Sequence, residues 1–284
     1  MVGGTTRLDL IQRMSTNDMT GIAEGETRPT VLTTAIGRIV DRVTVLALAD
    51  RWAVITSPGR GEAVQAWLGR HIFFQDDVTL EAAPSLQAYW FLAGPGAGEA
   101  TRSLTSSANS APIEQALSFP GGLAWAAQPP EPLGLHLLMQ SPSELPADGP
   151  WNAAVSPADA EAAYQALRVE AGHPEFGRDF GEDDIPLEVG LTYAVSFTKG
   201  CYLGQEIIAR MESRARTPRR LVGARLPAPV AAPLDWPDGR LTSVALSPRL
   251  GWIGLAVVRP QALQEDNAVG AHRIELLELP FPRS

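Results

Sequence analysis

The character of the chain changes after Thr217-Pro218. Beyond that point, four short β-like runs separated by proline, glycine and aspartate cover 220–226, 239–246, 251–258 and 273–279. Four such runs within about 65 residues predict a small antiparallel barrel or sandwich. We therefore expect one region over 1–216 and a C-terminal β domain over 217–284.

Alternation of apolar and polar residues predicts strands in the region before this boundary. One face of the run 38–48 carries Ile39, Asp41, Val43 and Val45, which is typical of a strand with one largely apolar side. Further strands are expected over 51–56 (the hairpin partner), 72–74, 78–82, 89–92 and 133–139. Small, polar and proline-rich residues predict loops over 93–112, 128–132 and 141–150.

Helical spacing and end signals predict helices between these strands. They are expected over 8–14, about 57–70, 156–171 and 205–212. In the third helix, Ser156 is a suitable N-cap, Pro157 fits the first helical position and Gly172 ends the helix. Its inner face is expected to carry Ala160, Ala163, Tyr164 and Leu167. Residues 1–216 are therefore predicted to form mixed α/β units, in two interleaved subdomains.

Composition limits the compartment and the partners. The net charge of −9 argues against general nucleic-acid affinity. No apolar run approaches the roughly 20 residues of a membrane span, and the first residues lack the apolar stretch of a signal peptide. A single cysteine excludes an intrachain disulfide, so a reducing cytoplasm is the expected location.

The only cysteine lies in the octapeptide Lys199-Gly200-Cys201-Tyr202-Leu203-Gly204-Gln205-Glu206. A helix start and a nearby lysine both favour the thiolate, so Cys201 is a candidate reactive group. The flanking glycines allow a positive φ or a close approach to a ligand. The alternative is a buried, inert thiol that packs as a small apolar residue.

The octapeptide resembles the K-G-C-[FY]-x-G-Q-E motif of the YgfZ-type folate-binding proteins, relatives of the glycine-cleavage T-protein. All seven specified positions match. The segments 9–18, 34–41, 168–172 and 185–188 resemble further motifs of that family, in family order. The resemblance covers roughly 7–80 and 160–258, whereas 93–155 match little.

The resemblance implies an α+β chain with an aminomethyltransferase-like folate-binding fold. Mixed α/β N-terminal units would surround a central channel for tetrahydrofolate or a derivative, and a small C-terminal antiparallel β-barrel would follow. The implied role is support of iron–sulfur cluster assembly or repair, with cluster-assembly proteins as partners. An effect on tRNA modification would then be indirect, through enzymes that carry clusters.

The resemblance also implies the site residues. Cys201 and Lys199 would carry the chemistry, and Glu170 would accept hydrogen bonds from the pterin, a task that suits a two-oxygen acceptor. The remaining candidates for folate binding are Asn17, Asp41, Tyr202, Gln205 and Arg210. No metal site is expected, because one thiol cannot supply the ligands of a cluster and no paired Cys or His motif is present.

The segment from Lys199 to Arg225 is strongly basic. It holds seven basic and two acidic residues, so it carries about +5 while the remainder carries about −14. One interpretation is a solvated helix face followed by a linker. The other is a surface for an anionic partner near Cys201, such as a polyglutamate folate tail, a phosphate-bearing molecule or an acidic protein.

One departure from the family pattern concerns catalysis. In aminomethyltransferases the first strand carries two adjacent aspartates, whereas this chain has Asp41 followed by Arg42. Arginine cannot serve as a carboxylate base, and a one-residue slip would turn Asp41 to the opposite strand face. A folate-dependent aminomethyltransferase or demethylase is therefore the alternative function, and a non-catalytic folate sensor or adaptor is a third. A cysteine hydrolase lacks a motif that assigns a histidine as the base.

Overall fold

The computed structural model describes residues 1–83, 86–92, 116–119, 122–126, 134–140, 156–214, 217–264, 267–269 and 272–282. The chain forms two compact units. The first comprises 1–12, 19–29 and 43–155, and the second comprises 13–18, 30–42 and 156–284. The predicted β domain over 217–284 lies within the second unit. The three loops predicted between residues 93 and 150 lie outside the described residues.

Two sheets involve the first half of the chain. The first, in the order β2-β3-β4-β1-β5, is built from β1 (Val2–Gly3), β2 (Thr27–Thr33), β3 (Ile39–Ala47), β4 (Arg51–Ile55) and β5 (Thr79–Leu80). The second, in the order β6-β9-β8-β7, is built from β6 (Gln87–Leu92), β7 (Leu117–Phe119), β8 (Gly122–Ala126) and β9 (Gly134–Met139). Helices α1 (Arg7–Met14) and α2 (Gly61–Gly69) lie between strands in sequence. Leu46, Ala53, Trp125 and Leu138 form a buried apolar cluster of the first unit.

The predicted hairpin and strand faces are confirmed. Strands β3 and β4 pair antiparallel, with Val45 opposite Val54. The face of β3 that carries Asp41 is buried throughout. The strand predicted over 72–74 is wrong, because the Asp76 amide donates to the Phe73 carbonyl (3.0 Å) and the Asp76 carboxylate accepts from the Phe73 amide (2.7 Å). These two bonds close a turn instead of a strand.

Helix α3 (Pro157–Ala171) has the predicted ends. The Ser156 hydroxyl accepts from the Asp159 amide at 3.1 Å, and Gly172 ends the helix with φ +71°. The predicted inner face is wrong for Ala160 and Ala163, which are exposed, while Tyr164 and Leu167 are half-buried. The residues that the helix buries are Gln165, Ala166, Arg168 and Val169. The pattern of apolar residues could not reveal this face, because two of these four side chains are polar. Gln165 pairs with Glu161 and Arg168 on the same helix, and Arg168 also binds Asp179 and Ser243 elsewhere in the second unit.

The C-terminal part of the second unit is a six-stranded antiparallel sheet in the order β11-β12-β13-β10-β15-β14. Its strands are β10 (Arg220–Arg225), β11 (Leu234–Trp236), β12 (Gly239–Ser247), β13 (Gly251–Val258), β14 (Asn267–Val269) and β15 (His272–Leu277). The Trp236 indole donates to the Asn267 side chain at 3.2 Å, which brings the two edge strands together. The sheet is therefore nearly closed into a barrel, and the predicted mixed α/β fold with a small C-terminal barrel is confirmed.

Short helical turns and one α-helix precede this barrel. Residues Pro186–Val189 and Thr192–Ala194 form 3₁₀ turns, and α4 (Gln205–Ser213) begins where the sequence predicts it. Within the part of the chain that the structure describes, no helix is both long and apolar enough to cross a membrane.

Candidate functional site

Cys201 is exposed in the loop that leads into α4. The N-cap of this helix is Gly204, which has a φ of +86°. A Cβ atom at Gly204 would lie 2.5 Å from the Thr34 carbonyl oxygen, so only glycine fits without a shift of the backbone. A Cβ atom at Gly200 would meet nothing within 4 Å. Of the two glycines that flank the thiol, the local geometry therefore requires only Gly204.

The last turn of α1 and the residues that follow it hold both ends of the Cys201 loop. The Ser196 amide donates to the Thr16 carbonyl, and the Leu203 amide donates to the Arg13 carbonyl, each at 2.9 Å. The Thr16 hydroxyl donates to the Ala194 carbonyl at 2.6 Å. Sequence analysis did not identify this role of residues 13–16. The polar residues directly after α1 were the available signal.

Lys199 lies beneath the loop with its ammonium group buried. Only 7% of the residue is exposed, and Nζ donates to the carbonyl oxygens of Ser15 (2.8 Å) and Asn17 (2.7 Å). Burial lowers the pKa of Lys199 to about 8, and the nearby charge of Asp18 acts in the opposite direction. The Cys201 thiol takes no part in these contacts. The sequence therefore places Lys199 in the loop correctly, while the fold directs its charge toward backbone carbonyls.

Tyr202 points into the protein next to Lys199. Its ring packs in an apolar cluster with Val195 and Ile208, and the Lys199 ammonium lies 5.3 Å from the ring centroid. Burial raises the pKa of the Tyr202 hydroxyl to about 12. This side chain supports the loop from below, whereas the thiol faces solvent.

The other predicted residues of the octapeptide region lie on α4. The Gln205 amide donates to the Tyr202 carbonyl at 3.2 Å, and the Gln205 side chain is half-buried. Arg210 is exposed and forms an ion pair with Glu206 at 2.6 Å, one helical turn earlier. Such exposed i,i+4 pairs contribute only about 0.3–0.5 kcal/mol to stability, so Arg210 can exchange this partner at little cost.

Glu170 lies near the C-terminal end of α3, and both carboxylate oxygens have protein partners. Oε1 accepts from the Ser247 hydroxyl, and Oε2 accepts from Nη2 of Arg249 at 3.0 Å. Its main-chain carbonyl accepts from the Phe281 amide at 3.1 Å. The side chain remains 20% exposed. A carboxylate has about four lone-pair positions, so an exposed edge of Glu170 can still accept further hydrogen bonds.

Strand β3 presents Asp41 and Arg42 in different environments. Asp41 is completely buried, whereas Arg42 is half-buried. Nε of Arg42 donates to the Tyr193 hydroxyl at 3.3 Å, and the guanidinium lies 5.9 Å from the centre of that ring. The position at which the motif resemblance implies a second aspartate is therefore occupied by a cation in contact with a tyrosine.

Asn17 lies beside Lys199. Its side-chain oxygen accepts from the Asp18 amide at 2.9 Å, and its own amide donates to the Thr30 hydroxyl at 2.8 Å. Together with the Lys199 contact, these bonds fix the backbone of Asn17 at the loop.

Acidic residues neutralise much of the basic segment. The pairs are Arg210 with Glu206, Arg219 with Asp184 and Glu188, Arg220 with Glu278, and Arg225 with Glu275. Arg216 lies outside the described residues. These pairs favour the interpretation of an ion-paired surface over that of a dedicated anion-binding surface.

The cavities delineated among the described residues lie elsewhere. One of about 520 Å³ is lined by residues 177–184 and 235–240 together with Arg219, Thr242, Val257 and Arg259. Neither this cavity nor four others are lined by Cys201, Lys199 or Glu170. Within the described ranges, no group of three or more His, Cys, Asp or Glu side chains is arranged to hold a metal ion.

Comparison with known proteins finds similarity over most of the chain. Residues 1–118 match the family model of the GCVT N-terminal domain. A putative chloroplastic transferase of Arabidopsis thaliana is 26% identical over 290 residues, which cover 94% of this chain and 65% of that protein. An aminomethyltransferase of Chlorobium luteolum is 25% identical over 225 residues, which cover 74% of this chain and 61% of that protein. The chain thus spans less than two thirds of the length of these two relatives.

A solved structure has the same fold. The glycine cleavage system aminomethyltransferase T of Bartonella henselae superposes with a TM-score of 0.77, covering 99% of this chain and 82% of that one, at 20% sequence identity. The chain therefore has the fold of an aminomethyltransferase, and its sequence similarities support the superfamily that its motifs predict.

Proposed function

We propose that this chain is a tetrahydrofolate-binding accessory protein that supports iron–sulfur cluster assembly or repair through Cys201. The observation that carries the proposal is the exposed thiol in a K-G-C-Y-x-G-Q-E loop whose two ends are held by residues 13–16. An exposed thiol can react with a partner or accept a ligand, whereas a sealed one cannot. The effect on tRNA modification would be indirect, and the proposed location is the cytoplasm.

Folate binding is proposed on the fold and on residues suited to the ligand. Glu170 keeps an exposed carboxylate edge that can accept from the amino and ring N–H groups of a pterin. Asn17 and Gln205 lie beside the cysteine loop, Tyr202 supports it from below, and Arg210 can offer charge to an anionic folate tail. Asp41 is proposed as a buried acid behind the site. The aminomethyltransferase fold and the aminomethyltransferases among the relatives support this ligand.

Arg42 argues against aminomethyl transfer as the main activity. A transferase needs a carboxylate where this chain carries a guanidinium in contact with Tyr193. Asp41 is completely buried and cannot reach a ligand on the Arg42 face without a register shift. The chain is therefore proposed to keep the ligand and to have lost the transfer step.

The test compares two properties of a Cys201→Ala variant. Titration with tetrahydrofolate, followed by the fluorescence of the seven tryptophans, should give the same affinity as the wild type. In cells that lack the wild-type protein, the variant should fail to restore the activity of a cluster-dependent enzyme. Full restoration would refute the role of Cys201, and retained folate binding would then indicate a sensor or adaptor.

A true one-carbon enzyme is the second candidate, favoured by the aminomethyltransferases among the relatives. In that case purified protein should transfer the methylene group of an aminomethyl donor to tetrahydrofolate, forming methylenetetrahydrofolate and releasing ammonia. Asp41→Asn should then abolish turnover. The leading proposal expects no turnover in either protein.

A further inference from the structure

Two buried side chains help to fix the middle of the Cys201 loop: Lys199 through hydrogen bonds and Tyr202 through apolar packing. Main-chain hydrogen bonds hold the loop at Ser196 and at Leu203. Between these points, Lys199 reaches inward and binds two carbonyl groups at 2.7 and 2.8 Å. Lys199 therefore forms a third point of attachment, two residues before the thiol.

The two carbonyl groups that bind Lys199 lie at the C-terminal end of α1. Ser15 and Asn17 come directly after α1, where main-chain carbonyls have no partner in the next turn of helix. Both accept from Lys199, and the Ser15 carbonyl hydrogen bond is buried. A buried carbonyl without a donor costs about 1–3 kcal/mol, so an ammonium with three N–H groups suits this position.

The ammonium of Lys199 has partners other than Cys201, although burial outweighs them and lowers the pKa of Lys199 to about 8. The two carbonyl oxygens, the face of the Tyr202 ring at 5.3 Å and the carboxylate of Asp18 all favour the ammonium form. Hydrogen bonds from a charged donor contribute more than neutral ones, typically about 1.5–3 kcal/mol. Turning Nζ outward toward the thiol would break both of these bonds.

We infer that Lys199 is a positioning residue for Cys201: its ammonium ties the middle of the loop to the carbonyls of Ser15 and Asn17 and so presents the thiol at a fixed place, without acting on the thiol as a proton or charge partner. The inference rests on the proposed function only in taking Cys201 as the reactive group. Within that site, Lys199 has a structural role: it holds the loop that carries Cys201.

The experiment compares Lys199→Met with Arg210→Met, a control that removes an exposed cation from the same segment. Because the chain has one cysteine, iodoacetamide reports on Cys201 alone, and its rate against pH gives the midpoint of thiol ionisation. Hydrogen–deuterium exchange of the amides of residues 197–203 reports on the loop. For Lys199→Met we expect an unchanged midpoint and loop exchange roughly tenfold faster or more. Arg210→Met should alter neither.

Two results would overturn the inference. A midpoint that rises by about one pH unit in Lys199→Met would mean that the ammonium acts directly on the thiolate. Loop exchange that stays at the wild-type rate would mean that the two carbonyl bonds do not hold the loop. Thermal unfolding of each variant distinguishes a local effect from a general loss of stability.

A conservative variant keeps the test decisive if Lys199→Met does not fold. Lys199→Arg retains the charge and several N–H donors, so loop exchange and the alkylation midpoint should match the wild type. Faster exchange in that folded variant would count against the inference. Failure of this inference can be distinguished from failure of the proposed function. A fully active Cys201→Ala protein would refute the proposed function, but it would not change the alkylation midpoint or the loop exchange measured for the Lys199 variants.

Discussion

The guanidinium of Arg168 and the carboxylate of Asp179 form a completely buried ion pair, with Nη1 2.6 Å from Oδ2. The second oxygen of Asp179 accepts from the hydroxyls of Thr242 (2.5 Å) and Ser243 (2.6 Å) on β12. Ser243 also accepts from Nη2 of Arg168 at 2.6 Å. This network joins α3, which carries Glu170, to the barrel within the second unit.

Removing Asp179 should therefore strongly destabilise the protein. Asp179→Ala leaves a buried guanidinium without its carboxylate, which typically costs about 3–5 kcal/mol. Urea unfolding followed by circular dichroism measures the loss. The matched control is Asp235→Ala, since Asp235 is 79% exposed and lies 3.7 Å from Arg240. An exposed pair of this kind contributes about 1 kcal/mol or less, so equal losses in the two variants would contradict the prediction.

The two glycines beside Cys201 should respond differently to alanine. Gly204→Ala places a side chain in the left-handed region and about 2.5 Å from the Thr34 carbonyl, so we expect a loss of at least about 1–2 kcal/mol. Gly200→Ala faces open space and should change stability by no more than about 0.5 kcal/mol. Chemical denaturation of both variants gives the comparison. A larger loss for Gly200→Ala would show that the loop is arranged differently.

The pKa of Lys199 predicts a pH dependence of stability. Its pKa is about 8 in the folded chain, whereas an unperturbed lysine has a pKa of 10.5, so between these pH values the unfolded state binds more protons. The free energy of unfolding should therefore rise with pH across this window, by roughly 2–3 kcal/mol from this residue. The measurement is the difference in urea-unfolding free energy between wild type and Lys199→Met at pH 7.5 and pH 10.5. A difference that does not change with pH would contradict the lowered pKa.

Glu170 and its partner Arg249 allow a test of the folate site. If Glu170 accepts hydrogen bonds from the pterin, Glu170→Gln replaces one acceptor oxygen by an amide donor, and folate affinity should fall roughly tenfold or more. Arg249→Met removes the cation that occupies Oε2 and leaves the carboxylate in place. The affinity of the Arg249→Met variant for folate should be equal to or higher than that of the wild type. Tryptophan fluorescence titration measures both, and an equal loss in the two variants would indicate a purely structural role for Glu170.

Signals between neighbours in sequence were sufficient for many local features. Ser156 and Gly172 mark the ends of α3 because capping depends on atoms only a few residues away. The β3–β4 hairpin and the buried face around Asp41 follow from a two-residue period. The octapeptide also located an exposed thiol before a helix.

Features that depend on distant partners could not be predicted. From the sequence, Arg168 is expected to be a solvent-exposed residue on a helix. Only the fold brings it to Asp179 and Ser243. Lys199 was predicted near the thiol, but its ammonium binds main-chain oxygens, which any residue type could supply. The motif selected Glu170 and gave no indication of Ser247 or Arg249, because both come from the barrel.

The second unit combines early and late segments of the chain, and this has a consequence for biosynthesis. The contacts of Lys199 with Asn17 and Ser15 join residues 182 and 184 positions apart. Residues 13–18 leave the ribosome long before their partners are translated, and at about 5–20 residues per second the delay is on the order of ten to forty seconds. During that interval a nascent chain cannot close the Cys201 loop, so its thiol becomes correctly presented only late in synthesis.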